Sequence, residues 1–193
     1  GDFAGAAKWY ERAGNAEAAA DMEVRAGNIG QGFTVLERLG KLDRAADTAL
    51  AMKDFRRASQ YFSKAGNHAR AVDALLEGRE TDAAIQMCLD HGMTERAAQL
   101  CVEAGHKGKA ATLHMQLGNT DKAVELFRET GNMAKVAAAY KAAGREAEGA
   151  EACKAAGENL TAAHLFELAG SKSDAADMYR AAGNSDKAAA LYE

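Results

Sequence analysis

Apolar side chains return along this chain every thirteen residues. With Gly1 as position 1 of the first unit, positions 6, 9, 10 and 13 carry them, for example Ala6, Trp9, Tyr10 and Ala13, or Ala123, Leu126 and Phe127. Offsets of three, four and seven residues mark one face of an α-helix. Positions 5, 8 and 12 are mostly polar and make the opposite face. Position 6 is alanine in 12 of 15 units, where composition alone would supply about three or four. Fourteen full units and an 11-residue remainder account for all 193 residues. A period this short and this persistent predicts a helical repeat array before any local structure is assigned.

The period is punctuated by glycine. Thirteen of the 19 glycines share one phase, running from Gly1, Gly14 and Gly27 to Gly183, and only Lys53 and Arg79 interrupt the series. Glycine supplies the left-handed residue that ends a helix, and asparagine follows it directly in six units. Each helix is then about 10 residues and ~15 Å long, followed by a turn of about three residues. Turns that short make neighbouring helices antiparallel. At the first interruption Gly78 precedes Arg79, which predicts that the sixth helix ends one residue early. At Lys53 nothing substitutes, so the expectation is either a left-handed lysine, costing about 1–2 kcal/mol, or an altered turn between Met52 and Phe55.

Helices alternate in type. Odd-numbered units carry bulk at position 10, as in Tyr10, Leu36, Phe62, Tyr140, Phe166 and Tyr192, whereas even units place Glu23, Ala49, Cys101 and Cys153 there. Even units instead hold Val24, Leu50, Leu76 and Val102 at position 11. The structural unit is therefore a helix pair of 26 residues. The segments Gly118-Asn-Thr-Asp-Lys-Ala-Val-Glu-Leu-Phe and Gly183-Asn-Ser-Asp-Lys-Ala-Ala-Ala-Leu-Tyr resemble the second helix of a tetratricopeptide repeat. So do the small, aromatic and small residues at Ala58, Phe62 and Ala65, and at Ala175, Tyr179 and Ala182. The resemblance spans the whole chain. It differs in the shorter pair, 26 residues against about 34, and in the absence of proline. The chain is also similar to the helical arrays of vesicle-coat and intraflagellar-transport subunits. This resemblance implies an all-α, right-handed solenoid of about 14–15 short antiparallel helices, a single array over residues 1–193, and a role in binding proteins. None of the family's peptide-clamp residues is carried over.

Composition sharpens this picture. The sequence holds 47 alanines and no proline, with 6% aromatic residues, which suits thin layers of closely packed helices. A net charge of −4 gives no electrostatic case for a nucleic-acid partner. No run of 18 apolar residues exists, so no membrane insertion is expected. An odd number of cysteines without metal-type spacing points to a reducing, cytoplasmic setting. The chain lacks an initiator methionine and stops inside a repeat, so a fragment of a longer protein is expected.

Catalytic chemistry has no evident home in the sequence. Cys88, Cys101 and Cys153 all fall at position 10, where a thiol behaves as a small core hydrophobe. The five histidines form no metal-binding pattern, and His114, also at position 10, is expected to pack. Gly30-Gln31-Gly32 lacks the strand that would make it a phosphate loop. No enzyme activity, cofactor, metal or small-molecule substrate is expected.

The feature that invites a partner is a row of cations at position 5 of four successive even units: Arg44, Arg70, Arg96 and Lys122. Such a row suits an acidic or phosphorylated peptide. The plainer expectation is pairing within each helix, since Asp47, Asp73, Gln99 and Glu125 lie three residues downstream. The leading functional expectation is thus a scaffold binding a protein or peptide. Its rivals are a spacer or assembly arm of a coat-like or transport-like protein, a sensor module of a signalling protein, and, more distantly, an RNA-reading repeat.

Overall fold

The computed structural model describes residues 1–192. Among them are fifteen α-helices and no strand. Ten-residue helices follow one another as α1 Phe3–Arg12, α2 Ala16–Arg25, α3 Ile29–Arg38, α4 Leu42–Ala51, α5 Phe55–Lys64, α6 His68–Glu77 and α7 Thr81–Asp90. They continue as α8 Thr94–Glu103, α9 Lys107–Gln116, α10 Thr120–Glu129, α11 Met133–Ala142, α12 Glu146–Ala155, α13 Asn159–Leu168 and α14 Lys172–Ala181. The last, α15, is Ser185–Tyr192. The chain divides into two compact units, Gly1–Gly92 and Met93–Glu193. In each, a helix packs against its predecessor and its successor, which is the arrangement of an α-solenoid.

The turns explain the period. After Arg12, Ala13 keeps right-handed helical dihedrals, Gly14 swings to φ 74°, and Asn15 is the N-cap of α2. The Gly14 N–H donates to the Glu11 carbonyl at 3.0 Å and the Asn15 N–H to the Tyr10 carbonyl at 2.9 Å, the paired bonds of a Schellman ending. The Asn15 side chain then accepts from the Ala18 N–H at 3.0 Å, satisfying one of the donors a helix start leaves open. Ten helical residues plus this three-residue connection make thirteen.

Both interruptions of the glycine series keep the same turn. Lys53 takes φ 60° and Arg79 φ 59°, so the left-handed lysine is what occurs at the first. The expected early end of α6 does not: it runs its full ten residues to Glu77, and Gly78 is a right-handed C-cap. Gly78 serves packing instead. A Cβ on it would lie 2.9 Å from Phe55 Cβ, so glycine lets the start of α5 approach the end of α6.

The buried face obeys the expected spacing but in a shifted phase. Positions 6, 7 and 10 are the core, as in Ala45, Ala46 and Ala49, or Ala162, Ala163 and Phe166. Position 3 adds partly buried residues such as Ile29, Leu42 and Met133. The stripe is thus 3, 6, 7 and 10, with position 9 joining it at Tyr61, Leu100, Leu126 and Leu165. Position 13, expected inside, is the C-cap residue and is mostly exposed, as at Leu39 and Met52. Trp9 is 71% exposed, with the Arg12 guanidinium 5.7 Å from its ring centre. Isolated ten-residue helices are marginal, so this stripe, at ~1.5–3 kcal/mol for each large apolar side chain buried, holds the array together. In the first unit Phe33, Leu36, Tyr61 and Phe62 join the alanines in one core, with the Phe33 and Tyr61 rings stacked at 5.3 Å. In the second, Cys153, Leu165 and Phe166 do the same.

Candidate functional site

Ion pairs link successive even-numbered helices, as Lys64 on α5 and Glu37 on α3 link two odd ones. Arg44 on α4 reaches back to α2. Its Nη1 donates to Glu17 Oε1 at 3.0 Å, and its Nε donates to Asp21 Oδ2 at 3.0 Å, with Nη2 on the same oxygen. Arg70 on α6 repeats the arrangement one pair later, with Nη2 2.6 Å from Asp47 Oδ1 and Nη1 4.0 Å from Asp43 Oδ1. Its guanidinium also lies 4.1 Å from the Phe62 ring centre. Pairing for these two cations therefore reaches the preceding even helix, which the spacing within one helix did not suggest. The physical reason is geometric: acids at positions 4 and 8 of one helix stand one above the other and bracket a cation arriving from its neighbour.

These acids are the ion-pair partners that sequence reasoning missed. The signal was present at offsets of 23 and 27 residues, as Asp21 and Glu17 before Arg44, and Asp47 and Asp43 before Arg70. Lys41 adds a 3.1 Å bridge to Glu17, and chiefly this hydrogen-bonded ammonium holds the Glu17 carboxyl below its ordinary pKa. In the second unit Arg96 is half-buried on α8 and Lys122 is exposed on α10. Where position 5 turns acidic, at Glu148, Arg145 at position 2 makes the link, 2.7 Å from Asp121 Oδ1.

Each unit holds an open groove at the same repeat positions. In the first unit a groove of about 750 Å³ lies between α2 and α4, lined by Glu17, Asp21, Val24, Arg25, Arg44, Asp47, Thr48 and Ala51 among others. In the second a groove of about 640 Å³ is lined by the residues 78 further on: Glu95, Gln99, Val102, Glu103, Lys122, Glu125, Leu126 and Glu129, with Lys107 and His114 from α9. Arg44 and Lys122 of the position-5 row thus occupy equivalent places on two groove walls. The structure does not bring all four members of the row to one groove.

The second groove differs in its floor. Val102 is 42% exposed, against 6% for Val24 at the same position, and Leu126 stands where the first groove has Thr48. His114 occupies position 10, which in α3, α5, α11 and α13 is filled by Leu36, Phe62, Tyr140 and Phe166. Its Nδ1 is buried with no hydrogen-bond partner. Burial first, then the nearby Lys122 ammonium, lowers the imidazole's pKa below the ordinary 6.5, so the ring is neutral at pH 7.

The remaining candidates are structural. Cys88, Cys101 and Cys153 are buried at their core positions, and burial raises the Cys153 thiol pKa. Among the described residues no group of three or more His, Cys, Asp and Glu side chains is placed to hold a metal ion. No helix among them is long and apolar enough to cross a membrane.

The class defined by this architecture is an all-helical repeat array. No protein-family model matches the chain, and no curated protein matches it. Among solved structures it is similar to the crystal structure of BtubC (BKLC) from P. vanneervenii, with 16% identity over 93% of this chain and 76% of that one, at a TM-score of 0.23.

Proposed function

We propose that the chain is a protein–protein interaction scaffold of the tetratricopeptide-like kind, acting by binding and not by catalysis. Partner protein or peptide segments dock on its even-helix faces. The observation that carries this proposal is the recurrence of an open groove at identical repeat positions in both units, bordered by Arg44 in one and Lys122 in the other. A stack of thin helix pairs exposes more groove than a globule of equal mass, which is the physical basis for its use as a platform. Arg70 and Arg96 occupy the same position 5 on α6 and α8 and are proposed as flanking partner contacts.

Photo-crosslinking in cells tests this. A crosslinking residue at Val102 is expected to give discrete adducts that a residue at Lys141, exposed on the odd helix α11, does not. Equal labelling at both sites would refute a groove-specific scaffold. The competing role as a spacer arm is favoured by the inter-pair bridges of Arg44, Arg70 and Arg145. In that case reversing Arg44 and Arg70 to glutamate would loosen the first unit without changing any adduct at Val102.

A further inference from the structure

We infer that the groove of the second unit takes a cationic amphipathic segment of a partner protein, apolar residues inward and lysine or arginine on its flanks. This deepens the scaffold proposal and rests on it. The groove is lined on its apolar side by exposed Val102 and by the largely buried Leu126, so an occupant gains chiefly by covering Val102 with an apolar face. The walls set the sign of the partner's charge. Glu95, Glu103, Glu125 and Glu129 line the groove against only Lys107 and Lys122, and Lys107 is already bridged to Glu129 at 2.7 Å.

Position 8 strengthens the assignment. In α2 and α4 the carboxylates at this position, Asp21 and Asp47, are taken up by arginines of the next even helix. In α8 the residue there is Gln99, and in α10 it is Glu125 facing the groove. An acidic occupant would face four carboxylates on the groove walls, whereas a cationic one complements them.

The test uses the full chain and two synthetic helical peptides. One has leucine along one face and lysine elsewhere, and the other carries glutamate for every lysine. Fluorescence anisotropy at physiological salt measures affinity, and the imidazole resonances of His114 report the location. The lysine peptide is expected to bind saturably and shift His114. Combining Glu95→Lys with Glu125→Lys should weaken it roughly two- to thirtyfold, the range of two screened ion pairs. Asp174→Lys with Asp186→Lys makes the same change in net charge on exposed sites of α14 and α15 and should leave binding unchanged.

Preferential binding of the glutamate peptide with a His114 shift would overturn the cationic assignment while leaving the groove a docking surface. Lysine-peptide binding that survives Glu95→Lys with Glu125→Lys would overturn it as unspecific attraction. Binding of neither peptide would also overturn it, and adducts at Val102 then show separately whether groove docking stands.

Discussion

Gly78 and Arg79 offer a test in which the sign of an effect decides. If Gly78 were the left-handed turn residue, Arg79→Gly would only add chain entropy to the unfolded state and destabilise by ~0.5–1 kcal/mol. In the structure Arg79 is the left-handed residue, at φ 59°. Relief of a non-glycine residue in that region is worth ~1–2 kcal/mol. After the entropy cost, Arg79→Gly should stabilise by about 0.5–1 kcal/mol. Gly78→Ala is the companion change. It keeps right-handed dihedrals that alanine accepts, but puts its Cβ 2.9 Å from Phe55 Cβ and 3.3 Å from two ring carbons. Phe55 Cβ is anchored to the backbone, so the clash cannot be relieved by turning the ring alone. Overpacking of this kind costs ~1–3 kcal/mol, partly offset by the lower entropy of alanine in the unfolded chain. Combining Gly78→Ala with Phe55→Gly should recover that overpacking loss, because glycine at 55 removes the Cβ together with the ring. Urea unfolding followed by helical circular dichroism, with hydrogen exchange of α5 and α6 as the local readout, measures each change. A destabilising Arg79→Gly, or no coupling between Phe55 and Gly78, would refute the assignment of roles at this turn.

Ser59 is the buried polar residue of the core, 2% exposed with its hydroxyl unpartnered, at a position that is alanine in α4, α8 and α9. Ser59→Ala removes that burial cost without opening a cavity and should raise stability by about 1 kcal/mol, read as a higher urea midpoint; a fall would show that the hydroxyl is satisfied. Tyr179 is fully buried and donates to Glu167 Oε2 at 2.8 Å, and burial first, then that carboxylate, pushes its pKa up to about 12 from 10.0. The native state therefore holds the phenolic proton more tightly than the unfolded chain, so this stability is complete below pH 10 and is lost as pH rises towards 12. Circular dichroism between those values should show a steeper loss for the natural chain than for Tyr179→Phe, and parallel curves would refute the linkage.

The fold was largely legible because its two determinants are local. A left-handed residue every thirteenth place and an apolar stripe between such residues define helix length and turn length without any long-range knowledge. What the sequence hid was phase. Spacings of three, four and seven fit positions 6, 9, 10 and 13 as well as 3, 6, 7 and 10, and alanine at position 13 cannot distinguish a core methyl from a C-cap methyl. Position 3 was not assigned to the stripe because its residue type varies: Thr81, Thr94 and Lys107 are polar, although the two threonines are partly buried. Gly78 was misread because a glycine at a turn fits two needs, positive φ and close approach, and only the position of Phe55 separates them. The site was harder still. The cations at position 5 were visible, but the partners of Arg44 and Arg70 are on another helix, and which helix follows from register and not from sequence proximity.

That register has a general consequence for arrays of this period. In a single helix the offsets that matter are three and four residues. Between 26-residue pairs the offsets that matter are instead 23, 24 and 27, seen in Arg44 with Asp21 and Glu17, Lys41 with Glu17, and Arg145 with Asp121. Where both acids at positions 4 and 8 meet a position-5 arginine, the surface is closed by mutual neutralisation and each bridge, being partly exposed, adds only a few tenths to about 1 kcal/mol. Where one acid becomes an amide, as at Gln99, and the intervening odd helix trades an aromatic for His114, the wall keeps carboxylates and the floor opens. Under the proposed docking role, stability and recognition use the same positions on the same faces, and a change of one or two residues in a repeat would shift the balance from one to the other. The groove between α8 and α10 is where we propose that shift.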